Sequence, residues 1–272
     1  MRAVAGGYRT AKGPGAARSE AVTGAAVAVV DTTAENIAHL HNVTRTYHMG
    51  EVEIQALRRV DLTIKRGEFL VVLGPSGSGK TTLLNLLGGL DVPTTGEIII
   101  DGVDISKFNE RQLTLFRRQK IGFIFQFFNL IPTLTAKENV EFAVELASRD
   151  GERPARGAID LLTMVDLAER ADHFPYQLSG GEQQRVAIAR SLAKDPALIL
   201  GDEPTGNLDF KTGKLVFKAM KELNEKENKT FVIVTHNAVV GQIAHRILHL
   251  HDGRVASEEI VEKPISPEDI AW

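Results

Sequence analysis

Eight consecutive residues carry the densest chemical signal of this 272-residue chain: Gly74-Pro75-Ser76-Gly77-Ser78-Gly79-Lys80-Thr81. They fit G-x-x-x-x-G-K-[ST] in full, with a short apolar run before them and a Leu-rich stretch after. Three glycines let successive backbone N–H groups curl around an anion, and the start of a helix at Lys80 adds its positive end. Lys80 supplies a point charge for β- and γ-phosphates, and the Thr81 hydroxyl can ligate Mg²⁺. Nucleotide binding follows; kinase, GTPase, helicase and transport ATPase all remain open. Asp202 and Glu203 close a second apolar run, Ala197–Gly201. A strand ending in two acids can send one, Asp202, toward Mg²⁺ and the other, Glu203, toward water attacking the γ-phosphate, as a general base. Alone, such a pair reads equally well as solvated loop charge. His236 ends a third run, Phe231–Thr235. It is either an ordinary satisfied histidine or a contact to the γ-phosphate.

These groups meet only if the runs form one sheet. Phe69–Leu73, Ala197–Leu200, Phe231–Val234 and Ile247–Leu250 are short and apolar, as strands buried on both faces are, and helical patterns over Thr81–Leu90 and Thr212–Lys226 separate some of them. Strand carboxyl ends are where such α/β sheets bind ligands. Upstream, Asn36–Tyr47 and Val60–Ile64 alternate, and Asp101-Gly102 sits between Ile98–Ile100 and Val103–Ile105 as a hairpin turn. Residues 106–193 instead show helical patterning. Residues 1–35 are Ala/Gly-rich and aperiodic, and read as a disordered extension; within it Ala21–Val30 only faintly imitates a secretory signal.

Leu178-Ser179-Gly180-Gly181-Glu182-Gln183-Gln184-Arg185 precedes a further helix reaching about Ala193. Ser179 and Glu182 have capping-box spacing, and two glycines leave backbone N–H groups bare at a helix start, a second anion site. It has no second lysine or Mg²⁺ ligand of its own. Two chains arranged head to tail resolve this, each helix start meeting the other's phosphate.

With this element the chain resembles an ABC transporter ATPase subunit over about residues 36–260. GPSGSGKTT, Gln126, LSGGEQQR, LILGDEP, Asp209 and His236 stand in the family's order. The resemblance implies an α/β fold: a P-loop NTPase (RecA-like) core with an antiparallel β-subdomain and a helical ABC-specific insertion at about 106–193. The ATPase domain would be 36–263, with 264–272 as a C-terminal tail. It also implies that Tyr47 stacks on adenine, that Thr82 joins the phosphate loop, that Gln126 contacts Mg²⁺ and senses the permease, and that Asp209 couples two sites across a homodimer holding ATP and Mg²⁺. Gly201 departs from the family's more frequent Ala before the acidic pair. With every catalytic side chain in place, a hydrolytically competent cassette is expected.

Composition bounds the partners. Lys and Arg number 32 against 35 acids, for a net charge of −3, so nucleic acid is not the expected partner. The absence of Cys excludes disulfides, Cys-ligated zinc and thiol nucleophiles. No segment reaches the ~20 apolar residues needed to span a bilayer. A separate transmembrane permease is therefore expected, with this chain at the cytoplasmic face of the inner membrane. FQFFNLIPTLTAKENVEFA and LLGGLDVPTTGEI are similar to the subfamily serving macrolide exporters, lipoprotein-releasing complexes and related four-helix permeases. Phe127, Phe128, Leu130 and Ile131 would form an apolar loop patch for that permease to cover. Two alternatives are an ATPase driving an external enzyme through a membrane partner without moving cargo, and a non-transport ATPase acting on DNA or the ribosome. His245 and His249 have a helical metal spacing, but on a strand they would lie about 13 Å apart, so a metal is not expected there.

Overall fold

The computed structural model describes residues 35–147 and 156–271. In chain order the elements are β1 (Asn36–Met49), β2 (Val52–Lys65), β3 (Phe69–Leu73), α1 (Lys80–Leu87), β4 (Thr95–Ile100), β5 (Val103–Asp104), α2 (Glu110–Lys120), β6 (Ile121–Ile124), α3 (Ala136–Ala147), α4 (Ala158–Thr163), α5 (Gly180–Ser191), β7 (Leu198–Asp202), α6 (Phe210–Glu227), β8 (Thr230–Thr235), β9 (Arg246–His251) and β10 (Arg254–Ile260). Residues 1–34 of the expected extension 1–35, the signal-like stretch included, lie outside the described residues.

Two sheets form. An antiparallel one runs β2-β1-β4-β5; a six-stranded one runs β10-β9-β3-β8-β7-β6, parallel except for the edge pair β9/β10. All five residues of β3 and all six of β8 are buried, which is why both read as continuous apolar runs. Alternate residues face opposite ways. Phe69, Val71, Phe231 and Ile233 pack with α5 and α6, while Leu70, Val72, Val232 and Val234 pack with α1 and the antiparallel sheet. Phe69 and Phe231 stack at 5.4 Å between centroids.

The structure corrects several boundaries. The helix expected over Thr81–Leu90 stops at Leu87, because Gly88 closes back onto Leu84 O at 2.8 Å and Gly89 turns to φ +60. The stretch 106–193, helical by pattern, holds a strand of the main sheet: β6 pairs with β7 from Ile121↔Leu198 to Ile124↔Gly201. Four residues directly after a helix are too short to impose a period of two. The C-terminal tail lies on α6. Ile270 is buried, the Ile265 N–H donates to Gln242 O, and Glu268 pairs with Lys218 at 2.6 Å.

Candidate functional site: a nucleotide cleft at the strand ends

Register brings the chemistry together. Leu73 pairs with Thr235 and Asp202 with Val234, so the phosphate loop, Glu203 and His236 all emerge from one edge of the sheet. They line a cleft of about 660 Å³ with Ser76, Gly77, Gly79, Lys80, Thr81, Thr82, Asp202 and Tyr47. Gly77 (φ +78) and Gly79 (φ +103) take the left-handed backbone that the curl requires. A Cβ at Gly74 would collide with the Leu250 carbonyl, so only glycine lets the loop lie against β9. Lys80 Nζ donates to the Gly74 and Pro75 carbonyls at 2.7 and 2.9 Å. The Ser78 hydroxyl is buried without a partner in the same loop.

Glu203 is the most constrained side chain here. Its backbone sits at φ +45, a left-handed conformation costing a non-glycine residue on the order of 1 kcal/mol. The Glu203 N–H donates to Val234 O. Its Oε2 accepts from Thr235 Oγ1 at 2.9 Å; its Oε1 accepts from the His236 N–H at 3.0 Å and lies 2.8 Å from His236 Nδ1. A carboxylate only accepts, so the ring donates from Nδ1 and turns Nε2 outward. Neighbouring Asp202 is half-buried. Burial and the Glu203 charge push its carboxyl above the usual carboxylate range, against a smaller opposite pull from Lys80. The cleft sets Glu53, Asp202, Glu203 and Asp252 against Arg58 and Lys80, an excess of negative charge that suits a divalent cation. Thr81 and Asp202 could hold Mg²⁺ there, with water and phosphate oxygens completing its shell. Among the described residues no group of three or more His, Cys, Asp and Glu gathers as a metal cage.

Other expected site residues stand apart. Gln126 does not line the cleft. Its amide donates to Asn207 Oδ1 at 3.3 Å, and the Asn207 amide donates to Gln126 O at 3.2 Å. Ser179, Gly180, Gly181, Glu182 and Asp209 are likewise not among the cleft residues. Ser179 and Glu182 form a full capping box at the start of α5. A Cβ on Gly181 would collide with Thr212 of α6, so this glycine also permits close helix packing. Asp209 caps α6, accepting from Thr212 N–H and Oγ1 at 3.1 and 2.6 Å. His245 precedes β9 and accepts from the Phe69 N–H, with Lys221 Nζ 3.0 Å from its Nε2; His249 lies 3.9 Å from Glu259.

Sequence reading missed several contributors, among them the start of β2, where residues 53–56 and Arg58 line the cleft. Asp252 and Gly253, at the turn between β9 and β10, line the cleft, and the Gly253 N–H braces Ser78 O at 3.0 Å. Gln184 is fully buried and donates to Pro204 O and Phe125 O at 2.6 and 3.1 Å, tying α5 to the ends of β7 and β6. Flanked by Glu182, Gln183 and Arg185, it carries no sequence signal of its burial.

A family profile described as ABC transporter matches residues 57–206. The ATP-binding protein MJ0796 of Methanocaldococcus jannaschii is 53% identical over 224 residues, covering 81% of this chain and 95% of its own. The chain belongs to the ABC transporter ATP-binding family. The lipoprotein-releasing system ATP-binding protein LolD of Legionella pneumophila is 47% identical over 79% of this chain and 95% of its own. A dimeric, post-hydrolysis structure of the MJ0796 cassette bound to ADP and Pi superposes with TM-score 0.75, at 49% identity, covering 84% of this chain and all of that one. The present ABC cassette is an ATP-binding ATPase with a mixed α/β fold, and its sequence lies in the neighbourhood of the lipoprotein-releasing ATPases. Among its described residues no helix is long and apolar enough to cross a membrane.

Proposed function

We propose that this ABC cassette powers a separate membrane permease of the four-helix type, from the cytoplasmic face, with export or extrusion as the outcome. Within the cleft Lys80 and the loop N–H groups of residues 76–81 hold the phosphates, and Tyr47 stacks on adenine. Glu203 takes the proton of the attacking water, oriented by Thr235 and His236, and His236 Nε2 faces the γ-phosphate. Thr81, Asp202 and Gln126 would hold Mg²⁺, which when bound would neutralise charge on the phosphates. Two chains pair head to tail so that Ser179, Gly180, Gly181, Glu182 and Asp209 of one meet the nucleotide of the other. The support is that one chain's cleft omits all five, and that the relative MJ0796 is known as a dimer.

A permease partner is supported chiefly by the exposed apolar surface of α3. Phe142 and Leu146, four apart and on one helical face, are about half exposed, and Leu146 borders a groove of about 410 Å³ between α2, α3 and α5. Arg190, on the same groove, donates to the Phe128 and Asn129 carbonyls, linking it to the loop after Gln126. Of the four loop residues considered for docking, Phe127 is 70% exposed, Phe128 and Ile131 are half-buried, and Leu130 packs against the core. With no native cysteine, a single Cys at Phe142 gives a clean cross-linking probe. In membranes of the native host it should capture a membrane protein with four spanning helices and a large external domain. Exclusive capture of ribosomal or DNA-bound proteins would overturn the assignment.

A further inference from the structure

Tyr47 reaches the cleft from the far end of β1, and its ring is held by one residue of the same strand, Arg45, and one distant in sequence, Asp91. The Tyr47 hydroxyl donates to Asp91 Oδ2 at 2.8 Å. Arg45 Nη2 donates to the other oxygen, Asp91 Oδ1, at 2.8 Å. The Arg45 guanidinium also lies over the Tyr47 ring, 4.6 Å from its centroid. Asp91 is fixed in turn by the Val92 N–H at 2.8 Å. Arg45 and Asp91 are largely buried, at 21% and 18% side-chain exposure, and Arg45 Nε is buried with no partner. A buried unpaired N–H is a local cost, so the guanidinium is held here by the pair and the ring together.

Asp91 lies four residues beyond the end of α1, the helix that begins with Lys80 and Thr81. The neighbouring segment is stitched to β1 again: the Thr94 N–H donates to Thr44 O, and the Thr46 N–H to Thr94 Oγ1. The ring is therefore referenced to the segment that follows the phosphate helix through the Asp91 carboxylate, with the Thr94 contacts beside it. A guanidinium covering one face of a tyrosine leaves only the other for a flat ligand.

We propose that Arg45 and Asp91 are positioning residues for the adenine end of ATP: Asp91 fixes the tilt and reach of the Tyr47 ring relative to the phosphate loop, and Arg45 fills its rear face so that only the front can stack on the base. This rests on the reading of Tyr47 as the adenine platform. Neither residue touches the phosphates, so their effect is confined to the base.

The experiment measures equilibrium binding of ATP and of inorganic tripolyphosphate, each with Mg²⁺, to the full chain and to Tyr47→Ala, Arg45→Ala, Arg45→Lys and Asp91→Asn. The expected result is that Arg45→Ala weakens ATP about 3- to 10-fold and leaves tripolyphosphate unchanged, the scale of a partly buried cation–ring contact. Arg45→Lys should recover part of the loss. The KM for ATP should rise with the dissociation constant while kcat moves less than about twofold. In a Tyr47→Ala background, Arg45→Ala should cost nothing further. Retained tripolyphosphate binding certifies the fold of each variant. If Tyr47→Ala leaves ATP affinity intact, the adenine platform itself is wrong and the inference falls with it. If Tyr47→Ala weakens ATP but Arg45→Ala and Asp91→Asn do not, or if they weaken both ligands equally, the platform survives and the positioning role is overturned.

Discussion

Glu203 meets donors at both carboxylate oxygens and sits on a left-handed backbone between β7 and the following turn. Such a side chain has one orientation, which is what a general base aimed at a single water needs. Glutamine preserves shape and can still accept from Thr235, but cannot take a proton. Glu203→Gln is expected to bind ATP like the native chain and hydrolyse it about 10²- to 10⁴-fold more slowly. Phosphate release measured beside equilibrium binding checks this; unchanged turnover would remove Glu203 from the base role. Asp202, one residue away, has its carboxyl raised above the usual range first by burial and then by the Glu203 charge.

At the scale of elements, the start of α5 serves two purposes at once. Ser179 and Glu182 satisfy each other's N–H groups, and Gly181 lets the helix approach α6. Burial raises the Glu182 carboxyl, but the hydrogen bonds from Ser179 and the charges of Arg170 and Arg185 outweigh it, so its pKa falls below the ordinary 4.5. The sign follows from proton counting. A depressed folded pKa means the unfolded chain binds the proton first on acidification. The contribution of the cap is whole above about pH 4.5 and is lost as pH falls through the depressed value. Glu182→Gln should therefore lower stability near neutrality yet lose less between about pH 5 and pH 3 than the native chain. Denaturant midpoints across that range test it; parallel curves would show that the box is not coupled to folding.

For the whole molecule, the decisive feature is that the cleft and the capped start of α5 do not coincide in one chain. On the head-to-tail proposal, Ser179→Arg in a Glu203→Gln background should bind ATP as the single variant does but remain a monomer with MgATP, while the single variant dimerises. Sedimentation or light scattering distinguishes the two. Loss of the cap costs about 1 kcal/mol, so a melting curve accompanies the measurement. Normal ATP-dependent dimerisation of the double variant would overturn the arrangement.

What could be read along the chain was what depends on near neighbours. The phosphate loop, the acidic pair and His236 each follow an apolar run, and a parallel sheet gathers the carboxyl ends of its strands whatever the loops between them do. Spacing and period were therefore enough for the fold class and the core of the site. Contacts across large sequence separations were decided only in three dimensions. The four-residue β6 needed its partner β7 before it could be seen as a strand. Gln126 turns to Asn207, 81 residues on, and Leu130 folds inward while Phe127 does not. Asp91 reaches back 44 residues to Tyr47. Side-chain partners at such distances leave no periodic trace, because each depends on how two separately encoded elements pack, and packing belongs to the assembled sheet and not to either segment.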